Sequence, residues 1–314
     1  MSERRSVLFI GGFSRSGSTL LARMLGQLPG CFFAGELEFV WEKYFQENQP
    51  CSCGLPFKEC GFWSSVVERA YGGFDQVDLE EIAYLKRCVE RIRYIPQLAS
   101  AWKTQTYGEN LAKYADKLGK LYTAIGEVSG STTIVDSSKV PRYAYTLANL
   151  PDVDLRVAQL VRDSRAVAYS WGRKKLNYED GGRKVYMDRQ SPLQSSIGWM
   201  RDHILTEPLR FLAPSGYSVV RYEDLVRDPR KTLSNLLASV SLEKTEVPLV
   251  DDGRSVELEV SHATEGNPIR FQHGKVELRP DTEWVNGMSL ADKRLVTAIT
   301  WPLLLRYGYP VRNV

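Results

Sequence analysis

Between Gly12 and Thr19 the chain reads Gly-Phe-Ser-Arg-Ser-Gly-Ser-Thr, a G-x-x-x-x-G-S-T frame. Glycines let the backbone approach a bound group, the first N–H groups of a following helix point at an anion, and arginine forks onto a tetrahedral oxyanion. The frame departs at one position from the phosphate-binding pattern G-x-x-x-x-G-K-[ST]. Ser18 stands where that pattern has the lysine that reaches the β/γ-phosphates, and the cation comes earlier, as Arg15. Such a loop suits an oxyanion, not a metal-bound triphosphate. The plainer alternative is a Gly/Ser turn between strand and helix.

A second basic cluster repeats the logic. Arg162 ends the apolar run Asp154–Val161, Ser170 follows eight residues later, and Arg173, Lys174 and Lys175 come next. Arginine at a strand tip, with a hydroxyl two helical turns on, can hold another anion; a solvated basic helix face is the alternative. Two further groups follow apolar runs in the same way: Glu36 after Cys31–Ala34, and Lys139 after Thr132–Asp136. Open parallel sheets bind ligands off the carboxyl ends of their strands, so both belong to a candidate ligand edge. Glu36 is the better site candidate of the two nearby glutamates, a helix-start charge being the plainer alternative, while Glu38 is read as solvent-facing or ion-paired. For Lys139 the alternative is a surface lysine before the Pro141 turn.

These residues need a sheet to hold them. Val7–Ile10 is a continuous apolar run of the kind that forms a strand buried on both faces. Leu20, Leu21, Met24, Leu25 and Leu28 share one face of the helix opening at Thr19, which Leu28-Pro-Gly ends. A last strand and turn are expected over 216–225. The pattern predicts an α/β fold: one domain over residues 1–314, with a central parallel β-sheet flanked by helices. Residues 46–130 form an insertion shaping the acceptor side, loop-like over 46–75 and helical from Asp78 to about Ile125 with a break near Pro96. Its rings (Tyr84, Tyr94, Trp102, Tyr107, Tyr114, Tyr122) are assigned mostly to core, with a few available to line an acceptor pocket. Residues 177–191 are read as a polar flap, 195–212 as a helix bent at Pro208, 262–284 as an irregular loop and 289–307 as a closing helix.

Composition narrows the function. A net charge of +3 is too small to argue for nucleic acid and fits a local basic pocket. The short N-terminal apolar run is too brief for a signal sequence, and no stretch is long enough for a membrane helix, so a cytoplasmic protein is expected. Cys51, Cys53 and Cys60 have a metal-like spacing, but no fourth ligand stands near them in sequence. Structural zinc usually takes four ligands, so free packed thiols and no metal are expected. A reducing compartment disfavours a disulfide.

Three motifs now stand together: Ser14–Leu21, Leu160–Trp171 with its Arg162-to-Ser170 interval, and Val220-Arg-Tyr-Glu-Asp-Leu225. In order and spacing they resemble the sulfotransferases that use 3′-phosphoadenylyl sulfate (PAPS), over roughly residues 6–235. The loop near 270–284 resembles that family's cofactor-covering segment, and the cysteine-rich stretch resembles bacterial members. The resemblance implies that Arg15, Ser16, Gly17, Ser18 and Thr19 hold the 5′-phosphosulfate, and that Arg162 and Ser170, assisted by Lys174, hold the 3′-phosphate. It implies nucleotide contact for Tyr222 and the catalytic base for Glu36. The lysine-glycine signature of the cytosolic branch has only a loose substitute in Arg270–Lys275.

On this reading Arg15 and Lys139 stabilise the leaving phosphate and no metal is required. The acceptor is any hydroxyl-bearing small molecule, carbohydrate or lipid-like alcohol, and oligomeric state is not legible. Two rival readings are a kinase of small metabolites, with Asp136 or Asp163 holding magnesium, and a non-catalytic nucleotide-binding protein.

Overall fold

The computed structural model describes residues 4–180, 183–242, 249–250 and 253–311. Strand β1 (Arg5–Gly12) runs into helix α1 (Ser18–Gly26), which returns the chain to β2 (Cys31–Gly35). After turns of 3-10 and π type over Leu37–Phe39 and Val40–Gln46 come α2 (Gly61–Tyr71), α3 (Leu79–Val89), α4 (Ile95–Ala99) and α5 (Gln105–Ser129). Then follow β3 (Thr133–Lys139), α6 (Pro141–Leu147), β4 (Val153–Val161), α7 (Ser164–Gly172), and the hairpin β5 (Leu176–Asp180) and β6 (Arg183–Tyr186). Helix α8 (Pro192–Thr206), β7 (Tyr217–Arg221), α9 (Tyr222–Arg227) and α10 (Pro229–Ser239) lead to β8 (Leu249–Val250), β9 (Ser255–Leu258) and β10 (Gly274–Glu277). The chain ends with α11 (Glu283–Gly287) and α12 (Leu290–Arg306).

The central sheet has five parallel strands in the order β2-β3-β1-β4-β7. Its faces explain the unbroken apolar run in β1. Val7 and Phe9 pack on the side of α5 and α6, while Leu8 and Ile10 pack on the side of α1 and α10. Because β1 lies between strands reached by opposite turns of the chain, its carboxyl end is the crevice where such sheets bind ligands. No helix among the described residues is long and apolar enough to cross a membrane.

Several local expectations are corrected. Within 46–75 the structure has a helix, α2, whose Trp63, Val66 and Val67 are buried at helical spacing. The run after Glu36 is not one α-helix but two turns. Residues 90–104 between α3 and α5 hold only a 3-10 turn and the short α4, with Pro96 in the first turn of α4. Tyr107, Tyr114 and Tyr122 are core, while Tyr84 and Trp102 face solvent. Of the two states expected for Glu38 the structure has the ion-paired one: it is buried and pairs with Arg142 at 2.6 Å. The 177–191 flap is largely a hairpin, with Gly181 and Gly182 outside the described residues. Within 262–284 lie β10 and the start of α11.

The three cysteines have a fourth ligand-type neighbour in three dimensions. His262 brings its Nδ1 to 3.3 Å from the Cys60 sulfur and 3.9 Å from that of Cys51. The partner absent from the local sequence is supplied from a distant segment.

One buried group sets a pH dependence of folding. His203 on α8 is fully buried, its Nδ1 2.9 Å from Gln159 Nε2, and burial pushes its pKa down to about 3. The unfolded chain therefore binds one more proton than the folded chain between about pH 6.5 and 3. This group's stability contribution is complete above that window and is lost as pH falls through it, at about 1.4 kcal/mol per unit. Denaturant titrations from pH 7 to 4 should show that slope, and His203→Gln should flatten it.

Candidate functional site

Each of the five strands delivers a chemically useful residue at or just past its carboxyl end. Beyond β1 comes the loop Phe13–Gly17, beyond β2 Glu36, at the tip of β3 Lys139, beyond β4 Arg162 and beyond β7 Tyr222. They converge on one cavity of about 780 Å³ that is lined by Arg15, Gly17, Ser18, Thr19, Glu36, Lys139, Arg162, Ser170, Lys174 and Tyr222. The two anion sites expected from sequence thus line one cavity. Ser16 does not line it. It is buried within the loop, and its hydroxyl has no hydrogen-bond partner among the described residues.

The loop is shaped for close approach. Gly17 caps α1 with φ +90° and contributes no capping side chain, so the first-turn N–H groups of α1 remain open toward the cavity. A Cβ at Gly17 would lie 2.4 Å from the Tyr222 ring, so that ring and the loop backbone are in direct contact. Arg15 itself is left-handed, with φ +72°. Its guanidinium lies 4.9 Å from the centre of the Trp171 ring and donates to the Asp188 carbonyl at 3.2 Å, while its Nε is buried without a partner. Arg162 stacks over Tyr222 at 4.8 Å, donates to the Arg15 carbonyl at 2.7 Å and pairs with Asp281. Its Nε is likewise unpartnered. Lys175 joins this cluster, and burial together with Arg15, Arg162 and Arg173 lowers its pKa. Crowded cations with spare donors are the signature of a site for anionic groups.

At the other end Glu36 and Lys139 form a buried ion pair. Lys139 is also left-handed, with φ +67°, and its ammonium donates to the Ser137 carbonyl at 2.9 Å. Burial raises the Glu36 pKa, Lys139 opposes that rise and Glu265 adds to it. Glu265 is the residue that sequence reasoning missed. It sits on the cavity wall, where burial pushes its pKa up but Lys43, at 2.8 Å, and Arg270 outweigh it, so the net shift is downward. Two neighbouring carboxyl groups with pKa values driven apart are the arrangement in which one stays a fixed charge and the other handles protons.

Glu265 arrives on a segment tied firmly across the site. Thr264 N–H donates to the Ala34 carbonyl at 3.0 Å, and Asn267 N–H donates to the Thr19 hydroxyl at 3.1 Å. Gly35, at φ +97°, lets Thr264 come this close; a Cβ there would lie 2.4 Å from the Thr264 nitrogen. Gly266–Ile269 and Gln272 line the cavity. Arg270 is buried beneath them, and Lys275 leaves on β10, so the Arg270–Lys275 stretch does not act as one covering motif. From 46–130 only Gln49 lines the cavity among the described residues, and no ring of the 84–122 region does.

Neither aspartate of the kinase alternative faces this cavity. Asp136 is buried and accepts from the Tyr122 hydroxyl and from Ser138 N–H at 2.8 Å. Asp163 caps α7 and pairs with Arg165 at 2.6 Å.

A family model described as "Sulfotransferase family" matches residues 8–246. No curated protein matches the chain. Among solved structures it is similar to a sulfotransferase domain from the Synechococcus PCC 7002 olefin synthase: 20% identity, TM-score 0.54, 99% of this chain and 97% of that one covered. It is also similar to a sulfotransferase domain from the curacin biosynthetic pathway: 16% identity, TM-score 0.50, 98% of each chain covered. Both likenesses concern the fold.

Proposed function

The chain belongs to the sulfotransferase family, and from that premise we propose that it moves a sulfuryl group from PAPS to the hydroxyl of a small-molecule, carbohydrate or lipid-like acceptor. The observation carrying this reading is the convergence of all five strand ends on one cavity, cationic at one end and holding a buried Glu36–Lys139 pair at the other. Arg15, Gly17, Ser18 and Thr19 take the 5′-phosphosulfate, with Ser16 shaping the loop from within. Arg162, Ser170 and Lys174 take the 3′-phosphate, and Tyr222 supports the nucleotide.

The transfer is an in-line displacement. The acceptor oxygen bonds to sulfur while the bond from sulfur to the bridging phosphate oxygen breaks, and adenosine 3′,5′-bisphosphate leaves. Glu36 takes the hydroxyl proton as the acceptor attacks. Lys139 and Arg15 meet the charge that grows on the departing phosphate. The proton and the charge are thus handled by residues from different strands, with Lys139 paired to the base.

Calorimetric titration tests donor choice. The bisphosphate should bind without magnesium, AMP should bind more weakly, and Arg162→Ala should weaken the bisphosphate about 10–100-fold while leaving AMP nearly unchanged. Tight magnesium-dependent ATP binding with none for the bisphosphate would instead favour phosphoryl transfer.

A further inference from the structure

The three cysteines and His262 form a cluster that the transfer chemistry does not use. Cys51 and Cys60 are fully buried, the sulfurs of Cys53 and Cys60 are 3.7 Å apart, and all four ligand atoms lie within 4.8 Å of one another. Zinc–sulfur bonds of about 2.3 Å and a zinc–nitrogen bond of about 2.0–2.1 Å put tetrahedral sulfurs about 3.8 Å apart and sulfur about 3.6 Å from nitrogen. The spacings of 3.7, 3.3 and 3.9 Å across Cys53–Cys60, Cys60–His262 and Cys51–His262 lie within about 0.3 Å of that tetrahedron, and the other three are no longer than 4.8 Å, so small side-chain adjustments complete it.

We propose that Cys51, Cys53, Cys60 and His262 Nδ1 bind one zinc ion in a closed structural site. Four protein ligands leave no open position, so the ion takes no part in the transfer. Binding replaces the three thiol protons, which pass to solvent. A disulfide would use only two of the sulfurs and leave the third sulfur and the imidazole unexplained.

The surroundings orient the ligands. The His262 ring stacks on Phe62 with centroids 5.2 Å apart, and its backbone carbonyl accepts from Trp63 Nε1 at 2.7 Å. Ser52, between two of the cysteines, donates its hydroxyl to the Ser261 carbonyl at 2.6 Å and accepts from Ala263 N–H at 2.7 Å. The ion therefore clamps the cysteine loop to the segment that carries Glu265, Gly266 and Asn267 onto the cavity wall. This role does not depend on the identity of the sulfuryl donor or acceptor.

Metal content of the full chain, produced with zinc and then passed through a metal-free column, tests the site. The expected result is one zinc per chain. His262→Ala should lower zinc affinity about 100-fold or more, and His262→Cys should restore it, because four thiolates also suit zinc. Wild-type chain exchanged with cobalt should show the visible absorption of a tetrahedral thiolate site, a readout that needs no variant to fold. Folded wild-type chain without stoichiometric zinc, or peptide mapping that finds a Cys53–Cys60 disulfide in native chain, overturns the proposal. Both results are independent of bisphosphate binding, so the zinc site and the donor assignment stand or fall separately.

Discussion

Glu36→Gln should lower turnover by about 10²–10⁴-fold while bisphosphate affinity stays unchanged. The amide keeps the size of the carboxylate and still accepts from Lys139, but it cannot take a proton from the acceptor. The cationic end, where the proposed nucleotide site lies, is built from Arg15, Arg162 and their neighbours and does not include Glu36. A transfer assay beside bisphosphate calorimetry separates the two effects. Equal losses in both would mean that Glu36 supports the cavity and does not act as the base. The wild-type profile carries a second signature. Burial raises the Glu36 pKa, so kcat/KM should fall on the acid side at a pH above the ordinary carboxylate range, and Glu36→Gln should remove that limb.

Lys139→Met should cost about 10²–10³-fold in kcat, the size of losing one charge-stabilising donor at a reacting centre. It should also move the acid limb upward. Lys139 is the main force opposing the burial-driven rise of the Glu36 pKa. A base works when deprotonated, so a higher pKa means that activity fails at a higher pH. Stability gives an independent check with its own sign. In the variant, Glu36 has a folded pKa further above its unfolded value, so its contribution is complete at low pH and lost as pH rises through the folded pKa. The variant should therefore melt lower, relative to wild type, at pH 8 than at pH 6. An unmoved limb would mean that Lys139 does not tune Glu36, and an unchanged kcat would remove it from the transfer.

The parts of the site that were legible in the sequence share one physical origin. Glu36, Lys139 and Arg162 each follow an apolar run, and a buried parallel strand announces both itself and its tip. The Gly12–Thr19 frame was legible because glycine, hydroxyl and arginine at that spacing have few other uses. Glu265 and His262 carried no such signal. Both sit on a segment without regular periodicity, held in place by hydrogen bonds to residues far away in the chain, among them Ala34, Ser52, Trp63 and Thr19. His262 meets cysteines that lie some 200 positions earlier, a separation no local pattern encodes. Helix α2 was hidden because Gly61 and the preceding cysteines and prolines mask the helical spacing of Trp63, Val66 and Val67. The rings of 84–122 were ambiguous for another reason: tyrosine suits both a core and a pocket, and only tertiary packing decides between them.

Arg15 and Lys139 sit at the ends of adjacent strands, and both hold a backbone conformation that L-residues enter at a cost of roughly 1–2 kcal/mol. Glycine would relax the backbone at either position, but at 139 it would also leave the buried Glu36 carboxyl without its cation. On the proposed reading Arg15 is therefore the position where catalytic fitness and ruggedness oppose each other. A library screened only for heat resistance should lose the cation at residue 15 early and keep the one at residue 139.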